Sequence, residues 1–145
     1  MSMDVPAVML GLAAALETVP LPGAGGGTLR AFAFPVDQIS PPAAVVAFPE
    51  GDIEFDTTFA RGADRALFQV FVLVGRPGER TAYPALAAYM SGQGASSIKA
   101  ALEADPELGG AAAGGTLAVP ACRLETVMIG EVPYIAAGFD VDVVA

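Results

Sequence analysis

Apolar residues open the chain at three- and four-residue steps. Val5, Val8, Met9, Leu12, Leu16 and Val19 share one helical face, so the pattern predicts an amphipathic helix over residues 5–19. Asp4 is placed to cap it, Pro6 falls in the tolerated first turn, and Pro20 and Pro22 stop it. Extended runs follow. Residues 29–34 alternate Leu29, Ala31 and Ala33 with Arg30, Phe32 and Phe34, and residues 43–48 follow a Ser40-Pro41-Pro42 turn signal; both read as strands. After Pro49 the period-two pattern continues, with Glu50, Asp52, Glu54 and Asp56 interleaved with Ile53 and Phe55. It predicts a strand or extended arm with an acidic side.

Residues 66–74 (ALFQVFVLV) form the strongest strand signal and are apolar on both faces. That suits a central strand covered on both sides, or one whose second face is buried by a neighbouring subunit. Beyond the loop at 75–78, a helix is predicted over residues 80–90, with Tyr83, Leu86, Tyr89 and Met90 on one side and Thr81 as its cap. A second helix, over residues 97–104, is capped by Ser96 or Ser97. It turns Ile98, Ala101 and Leu102 inward and pairs Lys99 with Glu103 one turn away.

Residues 117–129 and 132–144 flank Gly130-Glu131, a two-residue turn with glycine first, as a type II′ hairpin prefers. The turn sets the register. Ile129 opposes Val132, so Cys122 opposes Phe139, Leu124 opposes Ala137 and Thr126 opposes Ile135 on an expected core face. Arg123 then lies across from Gly138, Glu125 across from Ala136, and Asp140 diagonal to Arg123, on the polar face. The order helix, strands, two helices, hairpin implies a single α+β domain over residues 1–145. Its sheet is mostly antiparallel, with four to five strands, and its helices pack on one face.

Composition narrows the function. The chain of 145 residues has an apolar fraction of 54%, enough for one core, with 17 Gly and 12 Pro marking loops. Sixteen acidic against seven basic residues give a net charge of −9, which argues against gripping nucleic acid through a basic patch. The chain has no His and one Cys, which excludes a His–Cys zinc site, a Ser–His–Asp triad and an internal disulfide. The apolar stretch 5–16 is shorter than the ~18–20 residues a membrane span needs. With no base before Arg30 and a lone thiol at Cys122, the chain is expected to be made in the cytoplasm without a secretory signal.

Candidate chemistry is sparse. The glycines at 23–27 follow no strand and precede no Gly-Lys-Ser/Thr, so a linker fits them better than a phosphate loop. The carboxylates from Glu50 to Asp56 lack the glycine and distal Glu of a calcium loop, so a solvated acidic face is preferred to a metal site. Lys99 is a solvated amine beside Glu103 and makes a poor base. Cys122 reads as a small core residue, because nothing basic is predicted beside it. These absences favour a non-enzymatic role, with no cofactor; a small-molecule binding module would require a deep apolar pocket.

Several segments together carry a family likeness: the N-terminal helix, PPAAVVAFPE at 41–50, FDTTFARGADR at 55–65 with the apolar strand after it, GASSIKAALE at 94–103, and ETVMIGEVPYIAAGFDVDV at 125–143. In order and wording the chain resembles the tail-terminator (tail completion) proteins of long-tailed phages, especially those infecting actinobacteria. The resemblance implies a small structural subunit of the virion that assembles as a homohexameric ring on the last ring of tail-tube protein. Such a ring ends tube growth and offers a surface for head–tail joining, with DNA passing through without specific binding. It brings no catalytic positions. The expected partners are other copies of the chain, the tail-tube protein and the head–tail connector, and the expected location is the head-proximal end of the tail.

Two features fit. A strand apolar on both faces in a small chain invites burial against another copy, as cyclic oligomers provide. Six copies at −9 carry −54, a charge that would repel the DNA passing through, although acidity for solubility alone explains it equally well. The expected contact surface, with the tube protein or a neighbouring subunit, comprises Asp52, Glu54, Phe55, Asp56, Phe59, Arg61 and Arg65; the alternative is a solvated strand whose aromatics tuck into its own core. A neck or head–tail connector ring is the competing structural reading, separated from the first by which partner is bound.

Overall fold

The computed structural model describes residues 3–22, 26–34, 36–55, 63–112 and 115–145. Helix α1 (Val5–Leu16) begins where its sequence directs, with the Asp4 carboxylate accepting the Ala7 N–H at 3.2 Å. It ends earlier than the apolar pattern implied. The Thr18 and Val19 N–H groups bond back to Ala15 and Leu16, and the Thr18 hydroxyl donates to the Ala15 carbonyl at 2.6 Å. The chain thus tightens out of the α-helix while Val19 stays buried.

Three strands come before the second helix: β1 (Arg30–Phe32), β2 (Ala43–Ala47) and β3 (Arg65–Gly75). A 3-10 turn over Arg80–Ala82 leads into α2 (Tyr83–Met90), and α3 (Ile98–Glu103) follows. Thr81 lies inside that turn and does not cap α2, because the α-helix starts one residue before Pro84, whose missing N–H suits only a first turn. Ser97 does cap α3: its Oγ accepts the Ala100 N–H at 3.1 Å and donates to the Ser91 carbonyl at 2.6 Å. Lys99 and Glu103 form the expected pair, at 2.5 Å.

The long hairpin β4 (Thr116–Ile129) and β5 (Val132–Val144) completes an open five-stranded sheet of order β1-β2-β3-β5-β4. Among the described strands, only β1 and β2 run parallel. The hairpin register is the one its turn dictates: Ile129 faces Val132, Cys122 faces Phe139, and Gly130 takes a φ of 62°. A bulge at Val119-Pro120 then shifts the pairing by one residue, so Leu117 meets Val143. Proline has no N–H to give a ladder, and the bulge also moves the inward positions from odd (Leu117, Val119) to even (Cys122).

All three helices lie on one face. The core between them and the sheet joins Val8, Leu12 and Leu16 of α1 and Tyr89, Ile98 and Leu102 of the other helices to Phe68, Val70, Phe139 and Val141 of the sheet. Fully burying side chains of this size stabilises by about 1.5–3 kcal/mol each. Only half of the hairpin is covered. Cys122 is half-buried at the core margin, its thiol 3.8 Å from the Met90 carbonyl, whereas Leu124 is 54% exposed and Thr126 is exposed. The expected core face therefore stops near Cys122, because α3 reaches no further along β4 and the hairpin tip runs past the helices.

Opposite the helices a second, smaller cluster joins Val45, Leu73, Tyr134 and Ala136, with Val36 and Ile39 folded over it. The Tyr134 hydroxyl donates to the Ile39 carbonyl at 3.3 Å. So β3 is central and buried on both faces at its C-terminal end, yet at its N-terminal end Leu67 is 45% exposed. Of the two forms expected for the acidic segment, residues 50–55 take the arm and not the strand. After Ala47 opposite Gln69 the ladder lapses and resumes for one pair, Glu54 with Arg65, joined by two backbone bonds of 2.7 and 2.8 Å.

Candidate interface on the helix-free sheet face

The uncovered half of the helix-free face takes its side chains from the outward positions of three strands: Arg65, Leu67 and Gln69 of β3, Asp140 and Asp142 of β5, and Arg123 and Glu125 of β4. Two arginine–aspartate forks dominate it. Arg65 donates from Nε and Nη2 to the two Asp142 oxygens at 3.0 and 2.9 Å, with Glu54 at 3.8 Å. Arg123 donates from Nη1 and Nη2 to Asp140 at 3.1 and 2.9 Å and from Nε to Glu125 at 3.1 Å. Planar guanidinium groups suit such paired donation. The two forks flank Leu67, which lies opposite Asp142 in the ladder.

The electrostatics keep these groups charged. Hydrogen bonding to Arg123 holds the Asp140 carboxyl below its ordinary value, outweighing a partial desolvation that acts the other way. The Arg123 and Arg65 guanidinium groups are pushed up, chiefly by their aspartate partners. Away from this face, the Lys99 ammonium and the Val119 N–H lower the Glu103 carboxyl, while burial pushes the Tyr89 phenol up to about 12. No shift here brings a group toward neutrality, where a proton-transfer catalyst works best. Among the described residues, no three His, Cys, Asp or Glu side chains gather as metal ligands. Among the described residues, no helix is long and apolar enough to cross a membrane.

Of the expected contact residues, the structure brings Glu54 and Arg65 together beside an exposed Phe55 and leaves Asp52 on the exposed loop before them. Ile53 packs on the core while Phe55 is 71% exposed, so this aromatic does not tuck inward. Asp56, Phe59 and Arg61 lie outside the described residues. The sequence reading placed Arg123 near Asp140 but missed Asp142 as the main partner of Arg65, 77 positions away. The period-two alternation of Asp140 and Asp142 was the available signal. No known protein-family model and no curated protein sequence matches the chain.

Proposed function

We propose that the chain is a non-enzymatic structural subunit that caps a phage tail tube as a hexameric ring, ending tube growth and offering the tail-side surface for head–tail joining. The observation that supports this reading most is the helix-free sheet face, where charged forks surround Leu67 with Phe55 exposed nearby. Interfaces combine apolar centres with polar, hydrogen-bonded rims in this way. The likeness of segments 41–50, 55–65, 94–103 and 125–143 to tail-terminator proteins supplies the identity of the partner, the tail-tube protein, and the hexameric ring. The net charge of −9 per copy suits a lumen through which DNA slides.

The test is to mix the purified protein with tail-tube protein and follow tube length by electron microscopy and assembly mass by light scattering. Rings formed on tube ends, with growth arrested, are the expected result. Tubes that elongate unchanged would refute the proposal, and binding to the portal side instead would assign the chain to the connector.

A further inference from the structure

Strand β4 is an edge strand, and its two halves are treated differently. In the first half the edge is blunted: the Glu103 carboxylate accepts the Val119 N–H at 2.9 Å, and Pro120 has no N–H to offer. Among the described residues, the second half is open. Next to a two-residue turn, Ile129 and Val132 form the hydrogen-bonded pair, so Val127, Glu125 and Arg123 also direct their backbone groups toward β5. Met128, Thr126, Leu124 and Cys122 therefore direct theirs outward. On this same stretch Leu124 and Met128 are 54% and 57% exposed.

We propose that a second copy of this chain pairs antiparallel on the open half of β4, about a two-fold axis passing through Leu124. Register follows from charge. Centring the axis on Glu125 would set two carboxylates face to face, a destabilising pair. Centring it on Leu124 sets Arg123 opposite Glu125 of the second copy twice over, and Leu124 opposite Leu124. Centring it on Thr126 loses the charge match, because Arg123 would then face Ile129. In the Leu124 register Cys122 faces Thr126, and Met128 faces Pro120 at the mouth of a cleft of about 320 Å³ lined by Met90, Lys99, Val119, Pro120, Cys122 and Phe139. Met128 and Cys122 lie on the same, helix-bearing side of the sheet, so the thioether of one copy is directed at the cleft of the other. Flexible methionine suits such an irregular apolar space.

This pairing is isologous and closes at two copies. It does not rest on the ring reading, and it gives the chain a way to cover its open edge when no tube end is present.

The test uses thiols. Directly opposed residues of a hydrogen-bonded pair have Cα atoms about 5.5 Å apart, within the ~4.4–6.8 Å range a disulfide spans. In a Cys122→Ser background, Leu124→Cys is expected to form a covalent dimer on mild oxidation. Thr126→Cys in that background is not, because its two thiols would be offset by four residues, about 13 Å. Thr126→Cys with Cys122 retained is expected to cross-link again. Sedimentation should show the unmodified protein as a dimer, with Met128→Lys shifting it to monomer while circular dichroism stays unchanged. A monomeric unmodified protein overturns the proposal, as does cross-linking of Thr126→Cys without Cys122.

Discussion

Cutting the Arg123–Asp140 fork probes how much the helix-free face contributes to stability. The perturbation is a double-mutant cycle of Arg123→Gln and Asp140→Asn. Two charge-assisted bonds of 3.1 and 2.9 Å join the residues, whose side chains are 40% and 21% exposed. Hydrogen bonds to charged groups contribute about 1.5–3 kcal/mol when well buried, whereas exposed pairs contribute ~0.2–1 kcal/mol. Partial exposure places the expected coupling at about 1 kcal/mol, a shift of about 2–4 °C in midpoint for a chain of this size. The assay is urea unfolding followed by circular dichroism, repeated across acid pH. Asp140 is held below its ordinary 3.8 in the folded state. Its contribution is therefore fully present above that value and lost as pH falls through the lower folded one. The gap between the unmodified protein and Asp140→Asn should stay constant from neutral pH down to about 5 and shrink below about 4. A coupling under ~0.3 kcal/mol, the scatter of independent sites, would refute the reasoning, as would a gap that ignores pH.

Tyr89 is fully buried, and its hydroxyl has no hydrogen-bond partner among the described residues, so Tyr89→Phe should raise stability by up to ~1 kcal/mol in urea unfolding. A clear loss would show that the hydroxyl is bonded. Ser97→Ala removes the α3 cap and strands the Ser91 carbonyl, and calorimetry should register a cost of about 1–2 kcal/mol. The neighbouring strand residues Phe68 and Leu67 should separate cleanly. Phe68→Ala, in the core, is expected to cost about 3–5 kcal/mol, whereas Leu67→Ala should barely change monomer stability yet weaken tube capping.

The parts legible in the sequence were those whose cause lies within a few residues. Asp4 and Ser97 cap helices because their side chains reach N–H groups three positions on. Gly130 carries the positive φ its turn needs, and the turn then determines every pair as far as Ala121. The acidic arm was less legible. Alternation alone left residues 50–56 open between a strand and an extended arm, and among the described residues β3 offers that segment only Arg65 as a ladder partner. At the candidate interface, the sequence suggested Glu54, Phe55 and Arg65 and set Asp140 near Arg123, but not the fork between Arg65 and Asp142.

The chain's local order thus determined, by itself, an α+β domain with caps on α1 and α3 and one registered hairpin, because capping, turn geometry and side-chain periodicity act over short spans. Tertiary structure alone decided that Arg65 meets Asp142, that α3 protects one half of β4 and leaves the other open, and that Leu124 faces solvent instead of the core. Those outcomes depend on which strands become neighbours and how far each helix reaches across the sheet, and no periodicity along the chain encodes either.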